Sequence, residues 1–153
     1  MRKFSFWNTV SEYVLAMKYD GGVIIAADTL GSYGSMARFP DLKRVLKVND
    51  STVLGVGGDY ADFQFLSEII KQKQIDEDCK DDGFTLKPKA LHCWLTRVLY
   101  NRRSKFDPLW NVIIVAGMQD NEPYLGFCNL QGTAFTGKVD LFILFLQIFG
   151  LTR

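Results

Sequence analysis

The chain has 153 residues, 48% of them hydrophobic, and 18 basic against 17 acidic side chains leave a net charge of +1. That length supports one domain with a real core and is too short for two. The near-neutral balance argues against a chain built to bind nucleic acid or an anionic membrane. Cys79, Cys93 and Cys128 are widely spaced and form no CxxC or Cys/His pattern, which points to a reducing compartment and to no metal or other cofactor.

Residues 1–13, "MRKFSFWNTVSEY", begin basic but hold no apolar run long enough for a signal peptide, so the protein reads as intracellular. "YVLAMKY", "DGG" and "VIIAAD" predict a hairpin over Tyr13 to Ala27, because Asp-Gly supplies the positive φ of a tight turn. Val23 to Ala27 is apolar at every position, which predicts a strand covered on both faces. The strand ends on Asp28, and "TLGSYGSMARF" follows as a glycine/serine loop. "LKRVLKV" and "TVLGVGG" around Asn49-Asp50 predict a second hairpin, giving four strands before the first helix.

From Asp59 the period becomes helical, with Phe63, Leu66, Ile69, Ile70 and Lys73 on one face, Asp59 as N-cap, Asp62 three residues on, and an end near Asp78. "DEDCKDDG" is an acidic linker, and Pro88 opens a second helix whose Leu91, Trp94, Leu95, Val98 and Leu99 form the packing face. "WNVIIVAG" and "PYLGFCN", split by "MQDNE", give a third strand pair. Strands, two helices, then strands, several too apolar to face water, fit two packed sheets with helices outside.

Laid out in this order, the chain resembles the β-type subunits of the proteasome core particle, which have the N-terminal-nucleophile hydrolase fold. "VLAMKYDGGVIIAADTLGSYGSMARF", "VLGVGGDYADFQFL" and "WNVIIVAG" carry the resemblance, which covers about Val14 to Phe135. "LGSYGSMARF", "GDYADFQFL" and "HCWLTRVLYNRRSKFDPLWN" are most similar to the non-catalytic seventh β-type members of the eukaryotic particle. The resemblance implies an α+β, four-layer αββα sandwich, incomplete at the C-terminus. It divides the chain into a divergent segment 1–13, a partial β-type domain 14–136 and a divergent apolar tail 137–153.

In active members of the family a threonine at the mature N-terminus is the nucleophile, its free amine helps as base, and a lysine and an aspartate tune the site. Counting back from "LAMKYDGG", the threonine position falls on Glu12. The aspartate position is Asp28 and the lysine position is Arg44, whose guanidinium stays charged and shuttles no proton at neutral pH. These residues are therefore a vestigial scaffold with no catalytic residue, and Asp28 and Arg44 are expected to form a structural ion pair, with Glu12 beside it. Processing that exposed Thr9, Ser11 or Ser5 as a new N-terminus would restore an active-enzyme reading. None of the three follows the glycine that precedes the family's threonine, and each would shift the nucleophile along the strand.

His92 has no Cys/His/Asp cluster around it and reads as packed or solvated. GSYGS lacks the spacing of a phosphate loop, and its glycines fit a tight path beside Asp28. Arg97, Arg102, Arg103 and Lys105, with the acids of "DEDCKDD", read either as solvated surface or as polar rims that meet neighbouring subunits.

After "GTAF" the family pattern stops. The tail reads "TGKVDLFILFLQIFGLTR", and its run "LFILFLQIF" is too short to span a bilayer, since about 20 apolar residues are needed, and is β-prone and uncharged, an aggregation hazard if exposed. Uncovered strands and unpaired edges are expected, as the outcome of an alternative transcript or imperfect gene model, or of a short paralogue whose tail packs over the open edge. The leading reading is a non-catalytic structural β-type subunit that holds a place in a hetero-oligomeric ring with α- and β-type partners. The resemblance implies ubiquitin-dependent protein degradation in cytoplasm and nucleus. The competing readings are an active threonine-type endopeptidase subunit, a truncated form that does not assemble, and a free small α+β protein.

Overall fold

A computed structural model describes residues 13–33, 36–83, 85–136 and 141–145. The first hairpin forms as the sequence requires. Strands β1 (Tyr13–Tyr19) and β2 (Gly22–Ala27) pair antiparallel, and Gly21 takes φ 89° in the two-residue turn between them. The stretch after Asp28 is not simply a loop: β3 (Gly31–Tyr33) and β4 (Met36–Phe39) pair as a short ribbon with a register shift after Gly31. Six strands, not four, therefore precede the first helix. The ribbon is closed at its base where Leu42 N–H donates to Thr29 O at 2.8 Å.

Strands β5 (Val45–Asn49) and β6 (Thr52–Gly58) form the next hairpin, and the Asn49 side chain accepts from Ser51 N–H at 3.0 Å to shape its turn. Helix α1 (Tyr60–Asp78) starts on Asp59, whose carboxylate accepts from Ala61 and Asp62 N–H at 2.8 and 3.1 Å. Asp62 does not complete a capping box; its carboxylate instead accepts from Trp110 N–H at 2.9 Å, tying the helix start to the entry of a distant strand. Helix α2 (Pro88–Ser104) opens on Pro88, and β7 (Asn111–Gln119) and β8 (Glu122–Cys128) follow. Their turn, Asp120-Asn121, has positive φ at both residues, the mirror-image turn that matches strand twist.

The sheet order is β5-β6-β7-β8-β9, with β9 (Ala134–Thr136) at one edge, and a second sheet runs β10-β1-β2, with β10 (Leu141–Phe145) beside β1. On one face of the five-stranded sheet, Leu54, Val56, Ile113 and Val115 meet Phe63, Leu66 and Ile70 of α1 and Leu91, Leu95 and Leu99 of α2. On the other, Val112, Ile114 and Ala116 meet Val14 and Ala16 of β1. Strand β7 is buried on both sides, which explains its continuous apolar run. The described residues thus make three layers, helices on a five-stranded sheet on a three-stranded sheet, with the α+β content and paired sheets of the N-terminal-nucleophile hydrolase type.

Strand β2 departs from expectation. It is not covered on both faces: Val23, Ile25 and Ala27 face the inner layer, while Ile24 is 51% exposed and Ala26 also faces out. Its apolar run reflects an inner face buried between sheets and an outer face with no covering layer among the described residues. The expected open edge is partly wrong as well. The first half of the apolar tail, β10, pairs along β1 from Tyr13↔Phe145 to Met17↔Leu141 and closes that edge.

Candidate functional site

Asp28 stands where β2 leaves the sheet, and its backbone remains tied to β1 because Asp28 N–H donates to Tyr13 O at 3.2 Å. Its side chain returns the contact, accepting from Tyr13 N–H at 3.0 Å. Arg44 precedes β5, where its carbonyl accepts from Val56 N–H at 2.9 Å and so holds it against β6. From there its side chain reaches back across the fold. Arg44 Nε lies 3.3 Å from Asp28 Oδ1, and Nη2 donates to Leu30 O at 2.8 Å. The residue is 3% exposed, whereas Lys43 beside it is exposed to solvent.

Sequence reasoning thus brought together the right pair, Asp28 and Arg44. Glu12, with Ser5, Thr9 and Ser11, lies outside the described residues. What the sequence did not foretell is the backbone share of the site, namely Tyr13 N–H and Leu30 O, because a main-chain group leaves no residue-type signal. The arrangement clamps three segments, the β1 start, the β2 end and the base of the β3–β4 ribbon. At Gly31 the tight path is seen, since a Cβ there would run into the Leu42 side chain, and Gly34 lies outside the described residues. As chemistry, a guanidinium that stays charged beside the Asp28 carboxylate supplies charge complementarity and does not shuttle a proton at neutral pH. Among the described residues no group of three or more His, Cys, Asp and Glu could hold a metal ion.

His92 is packed, one of the two readings the sequence left open. It is 3% exposed, with Nε2 2.9 Å from Phe127 O and Nδ1 2.8 Å from Tyr124 Oη. A carbonyl only accepts, so the proton sits on Nε2, and Nδ1 accepts from the phenol. Burial pushes Tyr124 up to about 12, so it stays a donor. The ring lies over Gly126, where a Cβ would stand 2.8 Å from Nδ1. Burial also lowers the pKa of His92 from its usual 6.5, because the charged form loses water. The unfolded chain therefore takes up this proton first. Stability is expected to be full above pH 6.5 and to fall as pH drops below it toward the folded-state pKa. His92 is the only histidine in the sequence, so urea midpoints at pH 7.5 and 5.5 should differ in the parent and converge in His92→Gln. A pH-independent parent would mean that the imidazole is not held neutral.

The charged runs are partly satisfied within the chain. Arg102 pairs with Asp107 at 2.9 Å and lies over the Phe65 ring, Arg103 lies over Tyr100, and Lys80 pairs with Glu77. No helix among the described residues is long and apolar enough to cross a membrane.

Against known proteins, the model of the family described as "Proteasome subunit" matches residues 11–142. "Proteasome subunit beta type-4" of Xenopus laevis is 55% identical over 122 residues, covering 80% of this chain and 50% of that protein. The Drosophila melanogaster protein of the same name is 49% identical over 134 residues, 86% of this chain and 50% of its own. "Proteasome subunit beta type-7" of Saccharomyces cerevisiae is 44% identical over 128 residues, 80% of this chain and 48% of its own. The chain spans about half the length of the curated relatives it matches. The chain therefore belongs to the proteasome subunit family as a β-type member.

Proposed function

We propose that the chain is a non-catalytic, structural β-type subunit of the proteasome core particle, which holds a place in a hetero-oligomeric ring of α- and β-type subunits. By this reading it contributes geometry to ubiquitin-dependent protein degradation in cytoplasm and nucleus. The observation that carries the reading is Arg44. In the position where an active site of this kind needs a lysine that shares a proton, the chain has a buried guanidinium spent on Asp28 and Leu30 O. Glu12, at the nucleophile position by sequence, has neither hydroxyl nor free amine.

The test is fractionation of cell extract by size exclusion, with the chain followed by tail-specific peptides such as VDLFILFLQIFGLTR. Elution with a very large complex, and no labelling of the chain by an epoxyketone-type probe that labels its neighbours, is the expected result. Labelling would establish an active threonine-type subunit instead. Elution near 17.4 kDa would establish a form that does not assemble.

A further inference from the structure

Helix α2 closes on a Schellman turn whose left-handed position is filled by phenylalanine. Lys105 is the C-cap, Phe106 N–H donates to Arg103 O at 3.0 Å, and Asp107 N–H donates to Arg102 O at 3.1 Å. Phe106 therefore takes φ 55°, a conformation that glycine adopts freely and that is unfavourable for a residue with a Cβ. Its side chain gives nothing back to the chain, since the residue is 97% exposed. The turn is nevertheless held rigidly. Arg102 Nε donates to Asp107 O at 3.0 Å, and Nη2 lies 2.9 Å from the Asp107 carboxylate. The same guanidinium lies over the Phe65 ring of α1, 5.6 Å from its centroid, so both helices fix the loop that carries Phe106.

Backbone strain and full exposure of a large aromatic are each unfavourable for the chain by itself, and a rigid turn keeps both in place. That combination suits a contact with another surface. A side chain fixed in advance loses little freedom on entering a pocket, and buried aromatic anchors carry a large share of the affinity of protein contacts. Charge then describes the pocket. Residues 102–107 hold the cations Arg102, Arg103 and Lys105 and the single carboxylate Asp107. With Arg102 paired to Asp107, the exposed Arg103 and Lys105 make the surround of Phe106 positive. A complementary receptor is apolar at its centre and acidic at its rim. The groove beside α2 in a second copy of the chain is the wrong receptor, because Lys89 and Arg97 line it.

We propose that Phe106 is the anchor by which the chain grips a neighbouring subunit of the assembled particle, entering an apolar pocket whose rim carries carboxylates that face Arg103 and Lys105. The proposal rests on the reading of the chain as a ring subunit and names a place at which it is held there.

The test is competition for entry into the particle. The full-length parent and one variant are expressed at equal levels in the same cells, the extract is fractionated by size exclusion, and the two forms in the large complex are counted by mass spectrometry of peptides spanning residue 106. Phe106→Gly should raise the folded-to-unfolded ratio of the purified chain about fivefold, because φ 55° no longer opposes folding. Its share of the complex should nevertheless fall about thirtyfold against the parent. The gain in stability excludes misfolding as the cause of that loss. Phe106→Leu, apolar and as strained as the parent, should lose less of its share than Phe106→Gly. Arg103→Gln/Lys105→Gln should fall about fivefold with Phe106 intact. Equal entry of Phe106→Gly and the parent would overturn the anchor and leave the ring reading standing, and so would a larger loss for leucine than for glycine. Equal entry of the double glutamine variant would overturn the acidic rim. A parent absent from every large complex would overturn the ring reading and the anchor together.

Discussion

Replacing Arg44 by methionine is expected to lower the unfolding free energy by about 2–4 kcal/mol, read from urea titrations at pH 7. Methionine fills much of the same volume, so the loss comes from polar contacts. Leu30 O loses a charged donor at 2.8 Å, and Asp28 loses the cation 3.3 Å from its Oδ1. Asp28 keeps the Tyr13 N–H and is 27% exposed at its side chain, so water relieves part of its penalty and keeps the cost below that of a fully buried orphan charge. Asp28→Asn is the harsher change, because it removes the negative charge facing a guanidinium of 2% side-chain exposure, while the Leu30 O contact remains. Arg44→Lys should recover only part of the loss, since a compact ammonium cannot keep the geometry that lets a planar fork face Asp28 and Leu30 O together. A methionine variant within about 0.5 kcal/mol of the parent, the range of an ordinary surface change, would show that the clamp has no structural weight. It would also remove the reason for reading Arg44 as a structural replacement of a catalytic lysine.

Where the sequence was legible, one local rule settled the outcome. Asp-Gly set the first hairpin, Asp59 and Pro88 set the two helix starts, and the unbroken run from Val112 to Ala116 marked a strand buried on both faces. Val23 to Ala27 shows where that logic stops. An apolar run reports that both faces can be covered, not that both are, and Ile24 and Ala26 face outward here. The β3–β4 ribbon escaped for a different reason: strands of three and four residues are too short to show a periodicity. At the site, Asp28 and Arg44 were found by matching positions to a family, while the Tyr13 and Leu30 backbone groups emerged only from the fold. The Asp62 contact shows the same limit, since a carboxylate three residues after an N-cap fits a capping box locally and serves Trp110 N–H in three dimensions.

That contact belongs to a junction where a single methyl group is expected to do most damage. Gly58 ends β6 with φ 105°, and a Cβ there would fall on the Trp110 carbonyl oxygen, a backbone atom that no rotamer change can move. The same carbonyl accepts from Asp59 N–H at 2.8 Å, and Asn111 Nδ2 donates to Asp59 O at 2.9 Å. Displacing Trp110 to admit an alanine therefore pulls on the N-cap of α1 and on the start of β7 at once. The dihedral alone costs about 1–2 kcal/mol for a residue with a Cβ, and the lost or stretched hydrogen bonds add about 1 kcal/mol each. Gly58→Ala should thus lower stability by about 3–5 kcal/mol. Gly83→Ala separates the two causes, because Gly83 also has positive φ, 73°, but nothing lies within 4 Å of its would-be Cβ. It should lose only the dihedral part, about 1 kcal/mol. Equal losses at the two sites would sink the steric account of the junction and leave backbone conformation as the whole requirement for glycine there.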